Sequence, residues 1–194
     1  MLDAESVAEK DIALVRERFP ERYRRACLRA DRRDSLSVMA GGVLLFRALG
    51  VRRESELSCE GGRPYLPGGR EFSLSHSGGR CAIAVSGERI GLDIELMDPG
   101  NLIAAPAALT EEELEFMRGD PLRRFHLLWT RKESVFKAVG GYDDPKPIPA
   151  LDGRAPRGVH FTSGFFDGYA VSVCSAEEPG QIIPKNIFQI QTGG

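Results

Sequence analysis

The chain has 194 residues, enough for one domain or two small ones, and a chain of this length buries about 70% of its unfolded surface. Hydrophobic residues make up 42% and charged residues 28%, with 22 glycines and 12 prolines, a composition that excludes intrinsic disorder, collagen and coiled coil. The net charge of −2 conceals a cluster of arginines between residues 16 and 33, which forms either a solvated helix face or phosphate contacts. No nucleic-acid-binding motif accompanies it, so nucleic acid is not a predicted partner.

Helices are predicted at the start of the chain. Residues 4–29 have a helical pattern that is broken or capped near Pro20. A second helix is predicted to begin at a cap on Asp34 or Ser35 and to end at Gly50.

Strands are predicted next. Residues 58–71 are rich in glycine and proline and predict a loop. Alternating or apolar segments then predict three strands, the last two joined at Gly87-Glu88; they cover residues 72–76, 81–86 and 90–95.

The second half of the chain opens with a break at residues 98–100. Thr110 and Glu113 have the spacing of a capping box, which predicts a helix start. A longer helix is predicted over residues 122–139, followed by a loop over 145–156. A pair of strands around Asp167-Gly168 precedes a loose tail that starts at about residue 177.

The cysteines have neither disulfide nor zinc spacing, so they are predicted to be buried free thiols; they are Cys27, Cys59, Cys81 and Cys174. The first ten residues contain no apolar signal region, and no run of 18 apolar residues occurs. The sequence therefore predicts a soluble, cytoplasmic protein with no membrane partner.

Two carboxylates lie on one face of the predicted strand 90–95. Asp93 and Glu95 alternate with Leu92 and Ile94, so both carboxylates project from the same side. Such a pair is either an exposed strand face or a site for one divalent cation, and oxygen ligands of this kind suit Mg²⁺.

A second polar group lies on the predicted helix 122–139. Glu133 and Lys137 are four residues apart and share one helix face, which by itself is typical of a surface pair. A third group, Ser75-His76 with the glycines that follow, could approach a phosphate closely. Together these groups favour a phosphorylated ligand, a divalent metal and chemistry at phosphorus.

Four segments occur in an order that resembles the surfactin-type 4′-phosphopantetheinyl transferases. They are Gly62-Arg63-Pro64, residues 72–77 (FSLSHS), residues 90–95 (IGLDIE), and residues 129–134 (WTRKES) with Lys137. The last two segments are the most specific, and the resemblance covers roughly residues 20–175.

The resemblance implies an enzyme whose co-substrate is coenzyme A. The serine hydroxyl of an apo acyl or peptidyl carrier protein attacks the pyrophosphate, phosphopantetheine moves to the serine, and 3′,5′-ADP leaves. It implies that Asp93, Glu95 and Glu133 hold Mg²⁺, that Glu133 takes the serine proton, directly or through a metal-bound water, and that Lys137 neutralises or protonates the leaving phosphate.

The resemblance also implies residues that bind coenzyme A. Lys132 would lie near the same phosphates, Arg63 and Pro64 would hold the coenzyme, and Ser75 and His76 would bind the 3′-phosphate region; these are the remaining candidate site residues. Arg63 stands where the family usually has lysine, which keeps the charge but changes its geometry. Ser37 stands where an arginine is common in that family, so either Arg32 or Arg33 replaces that contact or selectivity for the 3′-phosphate is weaker.

The fold implied is α+β, with two similar α/β lobes related by a pseudo-twofold axis and coenzyme A between them. The lobes would be residues 1–98 and 99–176, followed by a tail over 177–194. Because both lobes of this dimer-like arrangement lie in one chain, the resemblance implies a monomeric protein.

Two other functions share these residues. One is a non-catalytic protein that binds coenzyme A or a carrier through a decayed site, although Asp93, Glu95, Glu133 and Lys137 are intact. The other is a metal-dependent phosphodiesterase that uses water. The class of carrier and the choice between Mg²⁺ and Mn²⁺ stay open at this point.

Overall fold

A computed structural model describes residues 1–139, 145–177 and 179 of the chain. These residues combine helices and sheets, as predicted, and they group into two compact units that divide between Val85 and Ser86. Within the described part of the chain, no helix has both the length and the apolar character needed to cross a membrane. Most of the predicted tail over 177–194 lies outside the described residues.

The first unit begins with a short strand and three helices. They are β1 (Leu2–Asp3), α1 (Glu9–Arg18), α2 (Pro20–Cys27) and α3 (Arg32–Leu49), with single 3₁₀ turns at Ala4–Ser6 and Glu54–Glu56. Pro20 is the first residue of α2, which confirms the predicted break, because proline is tolerated where an amide donor has no helical acceptor.

The ends of α3 confirm one prediction and correct another. Gly50 ends the helix in the left-handed conformation with φ 71°, as predicted. The predicted cap at Asp34 or Ser35 is wrong, because Asp31 caps the helix and accepts a hydrogen bond from the Asp34 amide at 3.0 Å. Asp34 instead lies in the first turn, where a negative charge also stabilises the helix dipole.

Four further strands complete the first unit. They are β2 (Ser58–Glu60), β3 (Arg63–Tyr65), β4 (Glu71–Ser77) and β5 (Arg80–Ser86). One sheet has the order β1-β5-β4, and β2 and β3 form a separate antiparallel hairpin. The loop predicted over 58–71 is therefore wrong in part. Gly61 and Gly62 both have positive φ, 55° and 81°, which is the turn geometry that closes a two-residue hairpin.

The core of the first unit is formed where the helices meet the β1-β5-β4 sheet. Val15 and Phe19 of the first helical segment pack with Leu44 and Leu45 of α3 and with Phe72 of β4, all essentially without exposed surface. Burial of these side chains stabilises the unit by about 1.5–3 kcal/mol each.

The second unit has a three-stranded antiparallel sheet in the order β6-β8-β7 with helices on it. The elements are β6 (Ile90–Leu96), a 3₁₀ segment (Pro99–Ala104), α4 (Ala105–Ala108), α5 (Glu111–Met117), α6 (Pro121–Val139), β7 (His160–Phe166) and β8 (Tyr169–Ser175). Thr110 and Glu113 form the predicted capping box, and β7 and β8 pair around Asp167-Gly168 as predicted.

The strands predicted on either side of Gly87-Glu88 both form, but they belong to different sheets. β5 is a neighbour of β1 and β4, whereas β6 pairs with β8. A short connection favours pairing, yet β8 is supplied by the end of the described chain, which a local pattern does not reveal.

The four cysteines are free thiols, as predicted. Cys81 and Cys174 are buried, but Cys27 and Cys59 are exposed, so the expectation of burial is wrong for these two.

Candidate active site

The candidate site of the second unit is formed where α6 packs on β6. Gly91 makes this packing close, since a Cβ atom at that position would lie 1.8 Å from the carbonyl oxygen of Ser134. No side chain fits there, so the glycine lets the strand and the helix approach within backbone contact. Asp93, two residues further along β6, therefore faces the helix.

Asp93 is buried, with 1% of its surface exposed. Nζ of Lys137 on α6 donates a hydrogen bond to Oδ1 of Asp93 at 2.5 Å. A buried carboxylate is stable only with such a partner, so the interpretation of an exposed strand face is wrong for Asp93. The lysine itself keeps 30% of its side-chain surface exposed and can still reach solvent.

Glu133 lies beside the same ion pair. Burial raises the pKa of its carboxyl above the ordinary value of 4.5, the negative charge of Asp93 raises it further, and the positive charge of Lys137 partly opposes them. Two acids and one lysine from β6 and α6 thus influence one another directly, and we call them the Asp93–Glu133–Lys137 cluster.

Glu95 occupies the next position on the same face of β6, opposite Ala170 of β8. Its surface is half-buried, and two residues along a strand separate its backbone from that of Asp93 by about 7 Å.

The donor chemistry of these residues suits a magnesium site. Asp93, Glu95 and Glu133 offer only carboxylate oxygens, the ligand type that Mg²⁺ prefers, and the mutual repulsion of Asp93 and Glu133 would be relieved by a cation. Among the described residues, however, no three acidic, histidine or cysteine side chains converge as an assembled metal site. The donor set fits Mg²⁺, and the ligand set stays a prediction.

Lys132 has different surroundings from those expected of a phosphate ligand. It is completely buried, and its Nζ contacts Glu113 at 2.9 Å and the carbonyl oxygens of Lys146 and Ile148 at 2.7 and 2.6 Å.

The remaining predicted residues belong to the first unit. Arg63 and Pro64 lie on β3, where an Nη of Arg63 pairs with Glu71 at 2.5 Å. Ser75 and His76 are neighbours on β4 and therefore project to opposite faces of the strand. Ser75 is buried and His76 is exposed.

Ser37, at the position where the resemblance implies an arginine, is buried in α3 and supplies no positive charge. Its hydroxyl oxygen has no hydrogen-bond partner among the described residues.

Several residues around α6 were missed by sequence reasoning. Thr130 on α6 shares a hydrogen bond of 2.7 Å with Ser172 of β8, and Ser172 in turn contacts Ser163 of β7 at 2.9 Å. Arg131 donates to Ser163 and to the carbonyl oxygen of Ala150. Thr130 and Arg131 lie in the WTRKES segment and Glu113 has capping-box spacing, but none of these patterns revealed the contacts that the residues make.

Comparisons with known proteins agree on one family. Residues 89–178 match the model of the family described as ACPS, 4′-phosphopantetheinyl transferase superfamily. The chain is 34% identical over 160 residues to the 4′-phosphopantetheinyl transferase AcpT of Salmonella typhi, covering 78% of this chain and 81% of that protein.

Two further relatives have the same activity in their names. The 4′-phosphopantetheinyl transferase of Bacillus subtilis is 34% identical over 87 residues, which cover 42% of this chain and 39% of that protein. The 4′-phosphopantetheinyl transferase gsp of Aneurinibacillus migulanus is 29% identical over 165 residues, covering 74% of this chain and 70% of that protein. The match to the family model contains both β6 and α6.

Proposed function

The chain belongs to the 4′-phosphopantetheinyl transferase superfamily, and from that premise we propose that it transfers the 4′-phosphopantetheine group of coenzyme A to a serine hydroxyl of an apo acyl or peptidyl carrier protein. The reaction depends on Mg²⁺ and releases 3′,5′-ADP. The observation that supports this most directly is the Asp93–Glu133–Lys137 cluster, which brings two carboxyl groups and one ammonium together where α6 packs on β6.

In this proposal Asp93, Glu95 and Glu133 hold Mg²⁺. When bound, the metal supplies positive charge that neutralises the pyrophosphate oxygens of coenzyme A. Lys137 exchanges its contact with Asp93 for the phosphate, which its 30% exposure permits.

Glu133 is the proposed proton acceptor. Its raised pKa, caused by burial and by the charge of Asp93, makes its carboxylate a stronger base than that of an ordinary glutamate. It takes the proton of the carrier serine as the serine oxygen forms a bond to the phosphorus that bears pantetheine. The bond between that phosphorus and the bridging oxygen breaks, and Lys137 neutralises or protonates the phosphate of 3′,5′-ADP as it leaves.

The first unit supplies the proposed contacts to coenzyme A. Arg63 and Pro64 hold the coenzyme, and Ser75 and His76 bind the region of its 3′-phosphate. The exposure of His76 and the charge of Arg63 support these roles. Lys132 is not included in this set because its ammonium is fully buried and already contacts three oxygen acceptors.

The proposal extends to the subtype and the organisation of the protein. We place it among the surfactin-type transferases, acting as a cytoplasmic monomer with two similar lobes related by a pseudo-twofold axis. The order of the four sequence segments supports the subtype.

One assay tests the proposal against its rivals. The protein is incubated with coenzyme A, Mg²⁺ and a panel of apo carriers from fatty-acid, polyketide, peptide-synthetase and lysine pathways, and each carrier is weighed by intact mass spectrometry. A gain of one phosphopantetheine supports the transferase. Binding of coenzyme A without turnover would favour the non-catalytic protein, and cleavage of coenzyme A without a carrier would favour the phosphodiesterase.

A matched pair of variants makes the assay specific for the site. Asp93→Asn removes the buried carboxylate and is expected to lower transfer by about 100-fold or more. Glu88→Gln removes a similar charge from an exposed residue just before β6 and is expected to leave transfer unchanged. Full transfer by Asp93→Asn would remove Asp93 from the site.

A further inference from the structure

Lys132 immediately precedes Glu133 on α6, but its ammonium points into the protein. Among the described residues, its Nζ lies within hydrogen-bond distance of Oε2 of Glu113 at 2.9 Å and of the carbonyl oxygens of Lys146 and Ile148 at 2.7 and 2.6 Å. None of the Lys132 side-chain surface is exposed, so a phosphate would have to displace an existing partner to reach it.

Glu113 is engaged through both carboxylate oxygens. Oε2 also accepts from the Thr110 amide at 2.9 Å, and Oε1 accepts from the Ala150 amide at 3.2 Å. The Lys132–Glu113 pair therefore connects three segments of the second unit, namely the start of α5, the middle of α6 and residues 146–150.

The residues just before Lys132 hold α6 from other directions. Thr130 contacts Ser172 on β8 at 2.7 Å, and Arg131 contacts the Ala150 carbonyl oxygen at 2.9 Å. Successive residues on a helix project about 100° apart, so contacts from residues 130, 131 and 132 restrain the rotation of α6 about its axis. The next residue in this series is Glu133.

We propose that Lys132 and Glu113 form a positioning pair, which holds α6 at the rotation that keeps Glu133 beside Asp93, and that Lys132 is not a ligand of the coenzyme A phosphates. The inference rests on the proposed function, because it assigns Glu133 the role of proton acceptor. It adds Glu113, a residue of α5 that touches none of the reacting groups, to those on which the turnover rate depends.

The two roles for Lys132 predict different patterns among variants. A phosphate ligand acts alone, so Lys132→Met would weaken binding of coenzyme A and Glu113→Gln would not. A positioning pair acts as one unit, so both variants lower kcat and neither changes binding of coenzyme A much. The double variant removes both charges, leaves no buried charge unpaired, and is expected to be no worse than either single variant.

The experiment measures steady-state transfer and the Kd for coenzyme A by calorimetry in these three variants. We expect kcat to fall by about 10–100-fold in all three, with the Kd for coenzyme A changed by less than about threefold. The control is the double variant E112Q/R154M, which removes an exposed ion pair between α5 and the segment after residue 150. It is expected to stay within about twofold of the parent protein.

Two results would overturn the positioning role. One is a loss of coenzyme A binding confined to variants of Lys132. The other is a lower melting temperature with an unchanged kcat at a temperature where the variants are folded by circular dichroism, because that pattern indicates support of the fold alone. If Lys132→Met does not fold, Glu113→Gln and the double variant give the same comparison.

Hydrogen exchange separates this inference from the proposed function. If the parent protein transfers no phosphopantetheine, the proposed function fails. The positioning pair still predicts faster hydrogen exchange at the Ala150 amide and across residues 130–137 in Glu113→Gln, but not in the E112Q/R154M control. Unchanged exchange in α6 would overturn the positioning of that helix whatever the activity.

Discussion

At the scale of single residues, the charge on Asp93 is stabilised by Lys137. Asp93 is nearly inaccessible to solvent, so its carboxylate depends on the ammonium that donates to Oδ1. Removing one partner of a buried pair leaves a charge that neither water nor a protein group compensates. The ion pair is therefore a structural contact as well as part of the candidate site.

We expect Lys137→Met to lower the free energy of unfolding by about 1–3 kcal/mol, less than for a fully buried pair because the lysine is partly exposed. Urea denaturation at neutral pH measures the change. Adding Asp93→Asn should restore part of the loss, because the amide needs no counter-charge. Arg118→Met, which breaks an exposed pair with Glu115, serves as the control and should change stability by less than about 0.5 kcal/mol. Equal losses of stability in Lys137→Met and Arg118→Met would contradict the burial argument.

The pKa of Glu133 predicts a pH dependence of stability in the metal-free protein. Because burial and Asp93 raise this pKa, the folded protein binds a proton more tightly than the unfolded chain does. The contribution of Glu133 to the free energy of unfolding is fully present below the ordinary pKa of 4.5. It is lost as the pH rises through the raised pKa of the folded protein.

The parent protein should therefore lose melting temperature relative to Glu133→Gln as pH increases over that interval, since glutamine does not ionise. Parallel melting-temperature curves for the two proteins, recorded in EDTA, would show that Glu133 has the same pKa in the folded and unfolded chains. Glu112→Gln, on an exposed surface, is a suitable control.

At the scale of elements, the packing of α6 on β6 depends on Gly91. A Cβ at this position would meet the backbone of Ser134 at 1.8 Å, and backbone cannot move aside as a flexible side chain can. The same close approach brings Asp93 within reach of Lys137. The glycine of the IGLDIE segment thus contributes to the site without any functional group.

Gly91→Ala should lower the free energy of unfolding by about 3 kcal/mol or more and should reduce transfer by separating β6 from α6. Gly87→Ala is the matched control, because its added Cβ meets nothing within 4 Å. Denaturation and transfer assays on both variants test the prediction. A Gly91→Ala protein as stable as the parent would show that the helix can shift at little cost.

The elements also show where local patterns succeeded. The capping box at Thr110, the glycine end of α3 and the proline start of α2 formed as predicted, because each depends on residues only a few positions apart. The separation of β5 from β6 was not predicted, because strand partners are chosen by packing over long sequence distances. The β2–β3 hairpin is local, and it was missed because the glycines and prolines of residues 58–71 were interpreted as a loop and not as a hairpin turn at Gly61 and Gly62.

At the scale of the whole molecule, ligand binding is expected to be visible as stability. A ligand that binds only the folded state raises the free energy of unfolding by RT ln(1 + [L]/Kd), about 2.7 kcal/mol at a hundredfold excess over Kd. The proposed function requires both coenzyme A and Mg²⁺ to act in this way.

Coenzyme A with Mg²⁺ should raise the melting temperature of the parent protein by roughly 5–10 °C at such an excess. EDTA should remove the metal-dependent part of the rise and abolish transfer. Asp93→Asn should lose that part as well, whereas Glu88→Gln should keep it. A rise that is identical with and without Mg²⁺ would contradict the metal site.

The sequence by itself determined the family, the local starts and ends of several helices, and the candidate chemistry, because motifs and caps depend on near neighbours. Only the tertiary structure decided the surroundings of those residues. It buried Asp93 against Lys137, and it engaged Lys132 with Glu113 instead of leaving it accessible to phosphate. Burial and ion pairing depend on which distant segments pack together, and spacing along a chain does not specify that packing.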